Sequence, residues 1–238
     1  MTGVYRIAGL TIRIDSLYSE VHTMCAPYRK EGPVDFSIAT THADIDFEST
    51  PPHSFPDSYL ETLAAYRKIA EKLPRYDAFL MHGSCIAVDG CAYVFSAKSG
   101  TGKSTHTALW RKLLGDRAVM VNDDKPIVRS IGGCMKAFGS PWDGKHHLSS
   151  DVSFPLKAIC FLERSETNRI ITLSRADALP LLVRHVYRPS DPSALEKTMG
   201  LLGGMDIGFY RLYCNMEMDA ANLSYSEMSG SEVFDNEA

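Results

Sequence analysis

The sequence has no apolar run long enough to cross a bilayer, and its six cysteines include no CxxC pair. It has no excess of positive charge. Twenty-five lysines and arginines stand against 29 aspartates and glutamates, a net charge of −4. These absences argue against a membrane span, against a zinc site of paired cysteines, and against nucleic acid or an anionic membrane as partner. The N-terminal stretch Met1-Thr-Gly-Val-Tyr-Arg6 lacks the long apolar core of a secretory signal. The cysteines at 25, 85, 91, 134, 160 and 214 are scattered, four of them within apolar, strand-like runs where a thiol behaves as a small hydrophobe. The expectation is a reducing compartment, the cytoplasm. No internal repeat or low-complexity segment is visible. The 238 residues, 45% hydrophobic and 23% charged, suit a globular protein with a substantial core.

The chain is organised around residues 82–124. Ala92-Tyr-Val-Phe-Ser96 reads as a buried strand, and Thr105-His-Thr-Ala-Leu-Trp-Arg-Lys-Leu-Leu114 as a helix closed by Gly115. Between them lies Ala97-Lys-Ser-Gly-Thr-Gly-Lys-Ser104, the context a phosphate-binding P-loop requires, with Ala97 where the strict pattern has glycine. Gly100 and Gly102 let the backbone curl so that N–H groups face an anion, and the helix N-terminus adds unpaired donors. A nucleotide would then contact Ser99, Gly100, Thr101, Gly102, Lys103, Ser104 and Thr105. Lys103 would reach the β- and γ-phosphates, and the Ser104 hydroxyl would meet Mg²⁺.

Around this centre the pattern predicts an α/β fold with a mixed central sheet. A smaller α+β segment, residues 1–76, precedes a core of residues 77–238. Residues 4–14 read as one bent strand or a hairpin, and 34–39 as a strand. Residues 42–56, acidic and proline-containing, read as loop. Helical period over 59–73 has Asp57 as its N-cap and Pro74 as its end. Strands follow at 79–82, 85–88, 117–121, 126–129, 135–138, 156–162, 169–173 and 209–214. Helices are predicted at 176–186, 192–202 and 219–228, with a frayed tail over 229–238.

A nucleotide site needs a carboxylate at the end of a neighbouring strand, and Val119-Met-Val-Asn-Asp123-Asp124 supplies two. One can hold Mg²⁺ while the other accepts a proton; equally, Asn-Asp-Asp is turn chemistry. His82, at a predicted strand end before Gly83, lies beside the phosphates if that strand neighbours the P-loop strand, and is otherwise a core histidine. The 139–147 loop concentrates Trp142, Asp143, Lys145, His146 and His147, and is expected to line the site. Adjacent His146 and His147 rarely converge on one metal ion.

These residues resemble a family. His82-Gly83, the glycine-rich loop fifteen residues on and Asp123-Asp124 are similar to the kinase domain of HPr kinase/phosphorylase. Ser99-Gly-Thr-Gly-Lys-Ser104 and Asn122-Asp-Asp124 also resemble the nucleotide motifs of ATP-dependent phosphoenolpyruvate carboxykinase. With Asp-Asp-Lys-Pro126 and Gly139-Ser-Pro-Trp142, the order looks like that of short HPr-kinase-like proteins from bacterial gene neighbourhoods for modified peptides. The resemblance is specific over residues 80–145 and looser to 228. It implies a kinase core, ATP and Mg²⁺, with Asp123 as the base and Asp124 as a metal ligand. It implies His82 as the group that orients or tunes Asp123, so that the catalytic set is Asp123, His82 and Lys103. The departures are Lys98, where HPr kinase has an acidic residue, and the lack of its later glycine-rich signature, for which Asp143 is the nearest substitute. No oxaloacetate-binding or manganese-binding segment supports carboxykinase activity.

The leading expectation is transfer of the γ-phosphoryl of ATP to a hydroxyl of a peptide, protein or small molecule, most simply a peptide or protein serine. A homo-oligomer remains open. The alternatives are a nucleotide-responsive binding module without turnover, a carboxykinase-like enzyme acting on a small molecule, and a mechanical ATPase. The last fits poorly, because Asp124 is followed by Lys125 rather than by a water-activating glutamate.

Overall fold

The computed structural model describes residues 1–50 and 54–231. The chain begins with a hairpin of β1 (Thr2–Ile7) and β2 (Leu10–Asp15), turning at Ala8 and Gly9, both at positive φ. Alternation buries Tyr5, Ile7, Ile12 and Ile14 on one face. The short helix α1 (Glu20–Met24) leads to β3 (Phe36–Ala39), which pairs parallel with β2.

Residues 42–48, expected as loop, form the helix α2 (His42–Glu48) instead. A capping box starts it: the Asp44 N–H donates to Thr41 Oγ1, and the Thr41 N–H donates to Asp44 Oδ2. Only Ile45 is buried, so no apolar period marks this helix in the sequence. The same expectation covers residues 51–53, and these lie outside the described residues, as do 232–238 of the expected tail. Helix α3 (Asp57–Lys72) has Pro56, not Asp57, at its N-cap; Asp57 adds its charge to the first turn. Pro74 falls within a 3₁₀ turn, Leu73–Tyr76, that continues α3.

From residue 78 the elements follow in the expected order, with ends shifted by a few residues. They are β4 (Ala78–Leu80), β5 (Ser84–Val88), β6 (Cys91–Ser96), α4 (Lys103–Leu114), β7 (Ala118–Asn122), β8 (Ile127–Ile131) and β9 (Cys134–Phe138). Then come β10 (Ser153–Arg164), β11 (Arg169–Thr172), α5 (Arg175–His185), α6 (Pro192–Gly203), β12 (Gly208–Cys214) and α7 (Met218–Ser229). Nine strands make one mixed sheet in the order β4–β8–β9–β10–β6–β5–β7, with β12 on β10 and β11 on β12. Strands β6, β10 and β12 run parallel to one another, and the other pairings are antiparallel. The mixed α/β architecture is the coarse fold class expected.

One face of the sheet packs on α5 and α6 through Phe161, Leu182 and Leu202. The other packs on α4 and α7, where Trp110 meets Phe95 and Tyr225 edge-on and donates to Ser224 Oγ. A third core joins the N-terminal sheet and α3 to Leu80, Ile127 and Trp142, so the first segment seats directly on the larger sheet. Among the described residues no helix is long and apolar enough to cross a membrane.

Candidate active site

The turn between β6 and α4 spans residues 97–102. Gly100 and Gly102 hold φ of +79° and +123°, which side-chain-bearing residues rarely adopt. Nothing lies within 4 Å of where a Cβ would stand on either, so the demand is on the backbone and not on space. The first bond of α4 runs from the His106 N–H to the Gly102 carbonyl. Arg164, at the end of β10, grips the turn from outside, its guanidinium donating to the Gly100 and Thr101 carbonyls. These two contacts tie the glycine-rich turn to the end of β10.

Strand β4 pairs with β8, not with the loop's strand β6, so the condition attached to His82 in the sequence fails. The histidine arrives at the site by another route. It sits in the 81–83 link between β4 and β5, its N–H on the His185 carbonyl at 2.6 Å. Gly83 next to it allows a close approach, because a Cβ there would lie 2.7 Å from Val94 Cγ1. Ser96 Oγ donates to the His82 carbonyl at 2.7 Å and fixes the link against β6.

The imidazole then bridges two charged groups. Lys103 Nζ lies 3.0 Å from Nε2, and Asp124 Oδ1 lies 3.1 Å from Nδ1. An ammonium group can only donate, so Nε2 accepts, and the ring proton sits on Nδ1 and points at Asp124. Lys125 Nζ also lies 3.0 Å from Nδ1, where the ring N–H leaves no lone pair for it, and it donates instead to Asp124 Oδ2 at 2.8 Å. Burial pushes the Asp124 carboxyl up, but the His82 hydrogen bond and the Lys125 charge outweigh it and hold the pKa at about 2. Burial lowers the Lys103 amine below its ordinary value, with the Lys125 charge acting in the same sense and Asp124 and Asp123 opposing it. Lys103 also donates back to the Ala97 carbonyl, over its own loop.

Asp123 faces elsewhere. Its Oδ1 accepts from Ser84 Oγ at 2.6 Å, and Ser84 Oγ lies 2.9 Å from Thr107 Oγ1 on α4. Thr107 Oγ1 also lies within reach of the Lys103 and Ser104 carbonyls. The expected partnership of His82 with Asp123 is therefore corrected: the histidine holds Asp124. The reason lies in Asn122, fully buried at the end of β7, whose Oδ1 accepts from the N–H groups of both Asp124 and Lys125. That turn sends the two carboxylates to different sides. Asp123 is 5% exposed, whereas the Asp124 side chain is 30% exposed.

The 139–147 loop divides. Trp142 does not face the site; it is buried against Tyr66 and donates to the Thr62 carbonyl of α3. Gly144 does approach it, since a Cβ there would lie 3.0 Å from Asp124 Cβ. Asp143 pairs with His147, and Lys145 and His146 are exposed. Sequence reasoning gave no role at the site to Ser84, Thr107, Arg164 or Lys125, the last noted only as the residue after Asp124. Of these, Ser84 and Lys125 adjoin flagged residues, and Arg164 ends a long apolar strand, a placement that only the fold makes meaningful.

Residues 57–186, more than half of the chain, match the family model described as SynChlorMet cassette protein ScmC. The chain belongs to the ScmC family. All the residues of the cluster around Lys103 and Asp124 lie within the matched span. No curated protein matches the chain. Among solved structures, the Hpr(Ser) kinase/phosphatase from Coxiella burnetii is similar at 10% identity and a TM-score of 0.37, over 63% of this chain and 93% of that one.

Among the described residues no group of three or more His, Cys, Asp or Glu could hold a metal ion.

Proposed function

We propose that this ScmC-family chain is an ATP-dependent phosphotransferase acting on a hydroxyl, most simply a serine of a peptide or protein. The observation that carries the reading is the His82 bridge: a buried lysine at a glycine-rich helix start and a carboxylate at a strand end meet on the two edges of one imidazole. The N–H groups of the 97–102 turn and of the α4 start, with Thr105, would cradle the phosphates. Lys103, released from the Ala97 carbonyl, would neutralise the β- and γ-oxygens.

Mg²⁺, held by Ser104 and one carboxylate, would supply further charge neutralisation when bound. The geometry favours Asp123 for that ligand, because Ser84 and Thr107 tie it to the helix turn that carries Ser104. It favours Asp124 for the base, the reverse of what the family resemblance implies. Asp124 is the more open carboxylate, and His82 orients it. The His82 hydrogen bond and the Lys125 charge keep its pKa low; a move of Lys125 to a phosphate oxygen would leave the carboxylate freer to take the acceptor's proton as the new O–P bond forms and the bond to the ADP oxygen breaks. Catalysis on this reading is positioning plus charge neutralisation. The test is incubation with labelled ATP, Mg²⁺ and the peptides encoded beside the protein. Label on a peptide serine supports the reading; ATP binding with no transfer to any hydroxyl sinks it in favour of a binding module.

A further inference from the structure

Beside the glycine-rich turn lies a cleft of about 510 Å³. Its floor follows from helical spacing. Thr105 and Leu109, four residues apart, share one face of α4, with Thr101 of the turn beside them, while Lys103, Thr107, Trp110 and Leu114 bury the opposite side. Leu162 of β10 supplies a second apolar wall, and Met216, in the link between β12 and α7, a third. Met216 is 65% exposed, an apolar side chain left open at the mouth of a concave site. Glu166 and Glu217 line it too, and among the described residues neither carboxylate forms an ion pair. Arg164 also lines the cleft, its guanidinium committed to the carbonyls of the turn.

We infer that the cleft receives the base and ribose of a nucleotide whose phosphates lie on the turn, a placement that rests on the function proposed above. The cleft and the turn share Thr101 and Gly102, so one ligand spans both without a break. Apolar walls suit the faces of a planar base, and carboxylates in the lining accept from ribose hydroxyls or an exocyclic amine. The volume falls within the range of small-ligand pockets. Inorganic polyphosphate fits the turn but leaves the apolar walls unused. The protein therefore selects a nucleoside triphosphate over the bare phosphate chain.

Calorimetry with ATP and with inorganic tripolyphosphate tests this, using wild type, Leu109→Asn, Met216→Asn and Lys103→Ala. The wild type binds ATP about tenfold or more tighter than tripolyphosphate. Leu109→Asn and Met216→Asn each weaken ATP severalfold and leave tripolyphosphate within about twofold, because neither alters charge. Lys103→Ala weakens both ligands. Retained tripolyphosphate binding shows that each wall variant still folds, and exposed Met216 provides a second route should Leu109→Asn fail. Equal affinity of the wild type for the two ligands overturns the cleft assignment and leaves the phosphate turn standing. The cleft assignment falls equally if the wall variants raise only the KM of the acceptor. Binding of neither ligand overturns both.

Discussion

His82 Nδ1 donates to Asp124 Oδ1 at 3.1 Å, while the other nitrogen of the ring accepts from Lys103. On the function proposed above, the pair couples the lysine that would meet phosphate to the carboxylate that would meet the acceptor. His82→Ala removes both hydrogen bonds and leaves two charged side chains free to re-pair. Transfer should fall by about tenfold to a hundredfold, the worth of one or two charge-assisted bonds, with ATP affinity changed only severalfold. Steady-state kinetics and calorimetry read the two effects. A variant with wild-type turnover would remove His82 from the mechanism.

Asn122 is the residue that parts the two carboxylates. Asn122→Leu keeps the size but takes away the acceptor for the Asp124 and Lys125 N–H groups and the donor to Ser140. About 1–3 kcal/mol of stability should be lost for the buried polar groups left unpaired. Turnover should fall further than nucleotide affinity. Denaturant melts beside turnover measure both; an unchanged midpoint and rate would show that the strand end holds its shape without Asn122.

The helix that the sequence hid also titrates. Burial works to raise the Asp44 carboxyl, but hydrogen bonds from Lys68 and Thr41 outweigh it and hold the pKa at about 2. The folded value lies below the ordinary 3.8 of an aspartate, so its stabilisation is present above about pH 4 and lost as pH falls toward 2. Asp44→Asn should be less stable than wild type at neutral pH and converge on it near pH 2. Urea midpoints across that range decide; a constant gap between the two proteins would contradict the linkage.

Much of the fold could be read because its signals are local. The apolar run of β6 and the glycines at 100 and 102 each declare an element within a few residues. Helix α2 was not legible, because seven residues with one buried side chain carry no period, and its capping box uses Asp at the position where Glu or Gln is the usual mark. The site was legible as a set of residue types and not as a set of partners. Lys103, His82 and the two aspartates could be named from order along the chain. Which carboxylate His82 would meet depended on the Asn122 turn, and on β4 lying beside β8 across the sheet. Trp142 misled for a related reason: a tryptophan in a polar loop can as well anchor that loop to a neighbouring helix.

The central claim is that the chain transfers phosphate with Asp124 as base and Asp123 on the metal. Single-turnover transfer from labelled ATP to an accepted serine peptide, followed across Mg²⁺ concentration, tests it most directly. Asp124→Asn should bind Mg²⁺ and ATP within a few-fold of wild type and lose about a hundredfold to ten-thousandfold in transfer at every Mg²⁺ concentration. Asp123→Asn should instead shift the Mg²⁺ requirement upward by about tenfold or more and recover part of its rate at high Mg²⁺. Transfer left intact in Asp124→Asn, with Asp123→Asn dead at all Mg²⁺ concentrations, would contradict the account.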